Sequence, residues 1–304
     1  MNCPKCDMFN PPGTEKCECG YVFLSSAARE SFRKPAPKKI PLKIFNIFAF
    51  RIRPVPKTLL LLCVALLVIT YFLKDRLPGI AEISPQLYLE PVQKKENIPP
   101  PFEITQKGFT YIVVPLYSYE LYGLVASYHN SDEFLDYYHE KWKDYLNIKD
   151  LCVIWGINIK SRVYKEVEFS SRDFTCHYSY PDAMVKRLFS EDCLSNNHIL
   201  ADKENLKKQI MSVKTGDQVY FKGYLVNYGH KGSRFLRLTS EERTDRGNKS
   251  CEIVYVTEFK ILKKANTLLR SLNRLSIYLI IGLLIFLLVD LHLSQPDPGD
   301  ERLS

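Results

Sequence analysis

The run TLLLLCVALLVITYFL, Thr58 to Leu73, is sixteen residues without a charge, bounded by Lys57 on one side and by Lys74, Asp75 and Arg76 on the other. As a helix rising about 1.5 Å per residue it covers about 24 Å of a hydrocarbon layer about 30 Å thick. It reads as a membrane span whose flanking lysines snorkel to the interface, with a buried soluble helix as the alternative. A secretory signal peptide does not fit, because the run starts at position 58 and no small-residue cleavage pattern follows it. A second apolar run, LSIYLIIGLLIFLLV from Leu275 to Val289, continues to Leu293. Two such runs on either side of a polar stretch describe a chain anchored twice, with spans over 58–73 and 275–293.

Charge supports this reading. Lys and Arg number 42 against 34 Asp and Glu, and the window Arg29 to Lys57 holds nine bases and one acid, which is the whole excess of eight. A protein that coats nucleic acid over its entire surface is thereby disfavoured. Residues 25–57 read as a basic juxtamembrane linker in which Ile40 to Phe50 (IPLKIFNIFAF) suits contact with anionic lipid. Nucleic-acid phosphates are the lesser alternative for the same charges. The positive-inside rule puts the N-terminus in the cytoplasm. The second span, preceded by Lys260, Lys263, Lys264, Arg270 and Arg274 and followed by a short acidic tail, 294–304, disagrees; the first span takes precedence because it usually dominates.

The nine cysteines divide by position. Cys3, Cys6, Cys17 and Cys19 fall as CPKC and CEC around a Pro11-Pro12-Gly13 turn, two close pairs able to supply the four thiolates of tetrahedral Zn2+. With Gly20 after the last of them, MNCPKCDMFNPPGTEKCECGYVF resembles the zinc-ribbon module at the N-termini of many bacterial membrane proteins, departing from it in a C-x-C second pair. The resemblance spans residues 1–24 and implies a structural zinc that supplies most of the module's folding energy. Cys63 lies within the first span as a small apolar residue. Cys152, Cys176, Cys193 and Cys251 lie between the spans and suit an oxidising compartment, the expected pairs being Cys176 with Cys193 and Cys152 with Cys251; four buried free thiols are the alternative. Reduced sulfurs before the first span and oxidised ones after it need one membrane between them. The expected location is therefore a bacterial-type inner membrane, with cytoplasmic termini and an extracytoplasmic central domain.

Residues 74–101 carry Pro78, Pro85, Pro91, Pro99, Pro100 and Pro101 and read as a stiff spacer. The central domain, 102–265, reads as α+β. Strand composition marks Thr110–His129, Leu151–Ile159, Phe174–Tyr180, Gln218–Tyr228, Arg234–Leu238 and Glu252–Ile261. Helical patterns follow Ser131 as a cap and occupy 182–189 and 202–212. GDQVYFKGYLVNYG at 216–229 and CEIVYVTEFKIL at 251–262 resemble the later strands of an OB-type five-stranded barrel.

Three polar clusters could carry chemistry: Ser195-Asn196-Asn197-His198; Thr239, Ser240, Glu241, Glu242, Arg243, Asp245 and Arg246; and Arg172, Asp173 and His177. None has a catalytic spacing, and each reads by composition as a turn. His198 is the residue to test first, as an ionisable base beside a hydroxyl. The expected function is a membrane-anchored binding or adaptor protein whose outer domain engages an envelope component, with lipid bilayer and a protein as partners. The alternatives are an envelope hydrolase or transferase using His198 with 239–246, which requires those segments to share a pocket, and nucleic-acid binding by the basic arm.

Overall fold

The computed structural model describes residues 1–23, 54–133, 136–172, 174–245 and 251–293. The basic linker up to position 53, the acidic tail 294–304, Asp173 and Arg246 lie outside the described residues. The chain divides into two units, Met1–Thr58 and Leu59–Ser304.

In the second unit two helices have the length and hydropathy to cross a membrane, α1 (Pro54–Leu73) and α6 (Thr267–Leu293). Pro54 opens α1, where its missing N–H costs nothing. Both helices expose most of their apolar surface. Polar groups hidden from sequence inspection join them: Asn273 Nδ2 of α6 donates to Thr70 Oγ1 of α1 at 2.9 Å, with both residues buried. Interhelical hydrogen bonds of this kind hold spans together where lipid offers no hydrophobic drive.

Between the helices lie β1 (Val92–Lys94), β2 (Phe102–Gln106), β3 (Phe109–Asn130), α2 (Tyr137–Trp142), β4 (Asn147–Ile154), α3 (Gly156–Lys160), β5 (Glu168–Arg172), β6 (Thr175–Ser179), α4 (Ala183–Leu188), β7 (Leu194–Leu200), α5 (Glu204–Ser212), β8 (Gln218–His230), β9 (Leu236–Arg237) and β10 (Cys251–Lys263). Five of the strands close a ring. β3 pairs β4, β4 pairs β7, β10 pairs β8 and β8 returns to β3, all antiparallel, while β7 and β10 run parallel. α5 lies between β7 and β8 in the chain.

Strand alternation decides which side chains face inward. Leu151 and Val153 of β4, Ile199 of β7, Phe221 of β8, and Val254 and Val256 of β10 form the ring's interior core. Their neighbours Cys152, Ile154, Leu200 and Ile253 face outward into two further apolar clusters. Gly216 (φ +87°) turns the chain into β8, and at Gly223 a Cβ would meet Tyr255 O at 2.0 Å, so glycine there lets β8 cross β10 closely.

Several expectations change. Residues 78–101 are packed rather than a free spacer: Leu87 is fully buried, Gln218 Oε1 accepts from Ser84 N at 2.8 Å, and Glu90 Oε2 accepts from Trp155 Nε1 at 2.8 Å. The strand expected to run to Ile159 ends at Ile154 and gives way to α3, because Gly156 takes a positive φ that reverses the chain. Asp136, not Ser131, caps α2 by accepting from His139 N. Ser195 to His198 are not a turn but most of β7.

The disulfide also differs from both expected pairs. Cys152 is bonded to Cys176, with Cα atoms 5.6 Å apart, while Cys193 and Cys251 are free thiols. Register explains why Cys152 misses Cys251: both stand opposite Asn196, one on each side, so two strand spacings of about 4.8 Å separate them. Cys193 points at Glu90, with Sγ 3.8 Å from Oε1. The bond that does form staples the β5–β6 hairpin over the outer face of β4.

Candidate functional site

Two places concentrate chemistry. In the first unit the four sulfurs of Cys3, Cys6, Cys17 and Cys19 all lie within 4.8 Å of one another, close enough to hold a metal ion. Two tight turns bring them there, closed by Asp7 N donating to Cys3 O and Gly20 N donating to Cys17 O, each at 2.8 Å. Gly20 takes φ +87° in the second turn. The Cys19 backbone N–H, and after it Asn10, hydrogen-bond Cys17 and pull the Cys17 thiol down, while hydrogen bonds to the other sulfurs push the Cys6 thiol up.

The second place is a cavity of about 900 Å3 on the outer face of β7 and β10. Its floor is Asn196 and His198 of β7 with Cys251 and Ile253 of β10; one wall is the β5–β6 hairpin through Thr175, Cys176 and Tyr178; another is the segment carrying Arg237, Glu242, Arg243 and Asp245. Trp142 from the end of α2 stacks on Phe174 at 5.3 Å between centroids, forming an aromatic edge. Two of the three polar clusters singled out in the sequence thus meet in one cavity, the first through Ser195, Asn196 and His198 and the second through Glu242, Arg243 and Asp245. Arg172 and His177 of the third lie on the hairpin but do not line it.

Beneath the floor runs a buried polar chain. His198 Nδ1 meets Asp150 Oδ1 at 2.6 Å, and Asp150 also accepts from Asn147 Nδ2 at 2.9 Å and from Phe174 N at 3.0 Å. Asn147 Nδ2 reaches His139 Nε2 at 3.0 Å, His139 Nδ1 reaches Asp136 Oδ2 at 2.5 Å, and Asp136 Oδ2 meets His129 Nε2 at 2.9 Å. His129, Asp136 and His139 are near enough to share a metal. Their spacings, however, are those of hydrogen bonds. The Asn147 amide donating to Nε2 leaves the His139 proton on Nδ1, where a metal would need the lone pair.

Burial alone would strip His198 of its charge, but the Asp150 carboxylate beside it outweighs burial and Arg237, and holds its pKa up at about 9. Asp150 answers in the same sense: burial pushes its carboxyl up, yet the His198 charge and hydrogen bond hold it at about 2. The pair is therefore ionised across the neutral range. Cys251 Sγ lies on the same floor, accepting from Asn196 Nδ2 at 3.7 Å and donating to Phe174 O at 3.9 Å.

Glu252 is the opposite case. It points into the ring at the cavity's end, and burial raises its pKa from 4.5 to about 7 despite Arg243 at 3.8 Å. A folded-state pKa raised above the unfolded one contributes stability that is complete below about pH 4.5 and is lost as pH rises through 7. Going from pH 5 to pH 8 should cost the wild-type chain about 2 to 3 kcal/mol relative to Glu252→Gln. Denaturant midpoints of both at the two pH values measure this; parallel pH dependence in the two chains would rule it out.

Sequence inspection found His198 but missed Asp150, because the two join only through the β4–β7 register, Asp150 opposite His198. It missed Cys251 as a cavity residue by committing it to a disulfide. One signal was present: in a strand beginning at Cys251, Cys251 and Ile253 share the face that Val254 does not. Compared with models of known protein families, with curated proteins and with solved structures, the chain shows no significant match to any.

Proposed function

We propose that this chain is a membrane-anchored binding protein whose central domain is an OB-type barrel taking an uncharged, hydroxyl-rich ligand of the saccharide class in the cavity over β7 and β10. The cavity carries the reading. OB barrels bind oligonucleotides or oligosaccharides across their second and third strands and adjoining loops, and the closed ring β3-β4-β7-β10-β8, with its parallel β7–β10 pair and α5 between β7 and β8, has the OB strand order. The cavity lies over the third and fifth strands of that order. Four carboxyl groups (Glu191, Asp192, Glu242, Asp245) and the partly ionised Glu252 line it against the guanidinium groups of Arg237 and Arg243 and the His198 imidazolium, a balance without the excess of positive charge that holds a phosphate backbone. The exposed Trp142 edge offers the aromatic face on which a sugar ring packs.

The remaining parts fit an inner-membrane anchor. α1 and α6 cross the bilayer, leaving both termini cytoplasmic, where the four-cysteine module forms a zinc ribbon around structural Zn2+. The Cys152–Cys176 bond supports an oxidising, extracytoplasmic side for the barrel, and the thiolate cluster a reducing one for the module. The module's partner is a cytoplasmic protein, recruited to a membrane whose outer face the barrel surveys.

Intrinsic fluorescence tests the ligand class, since the chain has two tryptophans and Trp155 is fully buried while Trp142 borders the cavity. In the full chain in detergent, soluble chito-oligosaccharide should produce a saturable change in emission that Trp142→Phe removes, and a single-stranded oligonucleotide should produce none. Response to the oligonucleotide alone, with steep salt dependence, would reverse the assignment; silence with both would remove the cavity from ligand binding.

A further inference from the structure

We infer that a second cleft, where the chain passes from α1 into the central domain, holds the headgroup phosphate of an anionic phospholipid on Arg76 and Lys165. The inference rests on α1 and α6 being membrane spans and is independent of what the cavity over β7 and β10 binds.

The cleft has a volume of about 500 Å3. Exposed Asp75, Arg76 and Lys165 contribute its polar lining, and buried Ala126 and Val167, with half-buried Leu77 and Phe169, its apolar lining. Residues 75–77 directly follow α1, and hydrogen bonds from the start of α6 pin them. Asn266 Nδ2 donates to Arg76 O at 2.7 Å and to Lys74 O at 3.1 Å. Arg270 donates to Lys74 O, to Thr215 O and to Asp217 Oδ1, so its guanidinium is already spent within the protein. The backbone carrying Arg76 is thereby fixed where the apolar run of α1 ends and the headgroups of a bilayer begin.

The two cations of this cleft lack an anion. The Arg76 side chain makes no hydrogen bond or ion pair among the described residues. Lys165 Nζ donates to a backbone carbonyl, Leu77 O, with the Tyr164 ring 6.0 Å away, which leaves two of its three N–H donors. The acid in the lining, Asp75, is engaged by Lys74 at 2.5 Å. A guanidinium and an ammonium that share a cleft without a free carboxylate gain from a phosphate, which both can hold by charge-assisted hydrogen bonds. In the orientation proposed above these bases stand on the outer side of the membrane, where the positive-inside bias does not call for them.

The rest of the lining selects among phosphates. A free phosphate ion would use the cations and leave Leu77 and Phe169 partly in water. A phospholipid sets its phosphodiester on Arg76 and Lys165 and lays its glycerol and first acyl carbons on the apolar lining, removing that surface from water. Basic pockets beside membrane helices take anionic headgroups in this way. A choline or ethanolamine headgroup would add a cation to a cleft whose carboxylate is already neutralised. A glycerol headgroup adds only hydroxyls, which suit the half-buried Thr215 hydroxyl in the same lining.

The test is native mass spectrometry of the full chain from detergent micelles carrying equal amounts of dioleoylphosphatidylglycerol and dioleoylphosphatidylcholine. The wild-type chain should retain one phosphatidylglycerol with a preference of roughly twentyfold, each interfacial cation contributing roughly fivefold. Arg76→Gln combined with Lys165→Gln, both at exposed positions, should bring the ratio near one. Lys264→Gln, an exposed base just before α6 that does not line the cleft, should leave it unchanged. Equal retention of the two lipids by wild type would overturn the inference. An equal loss of preference in Lys264→Gln would do the same, by assigning it to diffuse surface charge. Displacement of the lipid by inorganic phosphate at matched ionic strength would also overturn it and make the cleft a site for the free ion. Retention of neither lipid would overturn it too, and carbonate extraction of the chain from vesicles would then show whether the spans fail with it. Trp142 emission reads the other cavity without lipid, so failure of one proposal is distinct from failure of the other.

Discussion

Replacing Cys3 and Cys6 by Ser should take the full chain from one bound zinc to none and unfold residues 1–23. The module has almost no other source of stability. Its buried residues are Cys3, Cys17 and Asn10, while its apolar side chains face solvent: Phe9 is 75% exposed, Val22 53% and Met8 46%. Two isolated bridges, Asn2 with Phe9 and Lys16 with Val22, are the whole of its regular pairing. For such a unit the metal-binding free energy, about 10–16 kcal/mol for structural zinc sites, is the folding free energy. Metal analysis of the purified chain measures the first effect. Amide hydrogen exchange over residues 1–23 measures the second, and it should pass from protected to fully exchanging in the variant and in wild type treated with chelator. Stoichiometric zinc in the double variant would remove the four-thiolate site; protection that survives chelation would show that the module folds without metal.

What the sequence disclosed followed local rules, and what it concealed depended on register. The two long apolar helices, expected over 58–73 and 275–293, and the four-cysteine motif were legible because each is contiguous: a run of apolar residues, or two close pairs around a turn. The later strands of the ring were legible through Gly216, Gly223 and their alternating neighbours. The pairing of Cys152 with Cys176 was not, because it depends on the β5–β6 hairpin folding back over β4, which no local pattern announces. The burial of Leu87 within a proline-rich stretch was hidden for a related reason: proline marks a stiff backbone but not what that backbone lies against. Asn273 and Thr70 look like minor interruptions of apolar helices until they are seen to meet.

Removing the Asp150 carboxylate is expected to have the largest effect of any single substitution in the ring of strands. Asp150→Ala leaves His198, Asn147 Nδ2 and the Phe174 N–H without their common acceptor. His198, 2% exposed, must then surrender its proton or remain charged without a partner. Taking one member from a buried ion pair costs about 3–5 kcal/mol, because the other charge stays desolvated. For a domain of this size that is a fall in Tm of roughly 10 °C. Glu96→Ala, at an exposed position, is the control and should shift Tm little. A double-mutant cycle separates the pair from the packing. If the two side chains are ionised together, His198→Ala should cost about 2 kcal/mol less in the Asp150→Ala background than in wild type, whereas additive effects would mean that no ion pair links them. Because the carboxylate also holds the Phe174 N–H at the turn of the β5–β6 hairpin, Asp150→Ala should raise amide exchange over 174–180 even though the Cys152–Cys176 bond still tethers that hairpin to β4. Loss of stability without loosening of the hairpin would confine Asp150's role to the histidine alone.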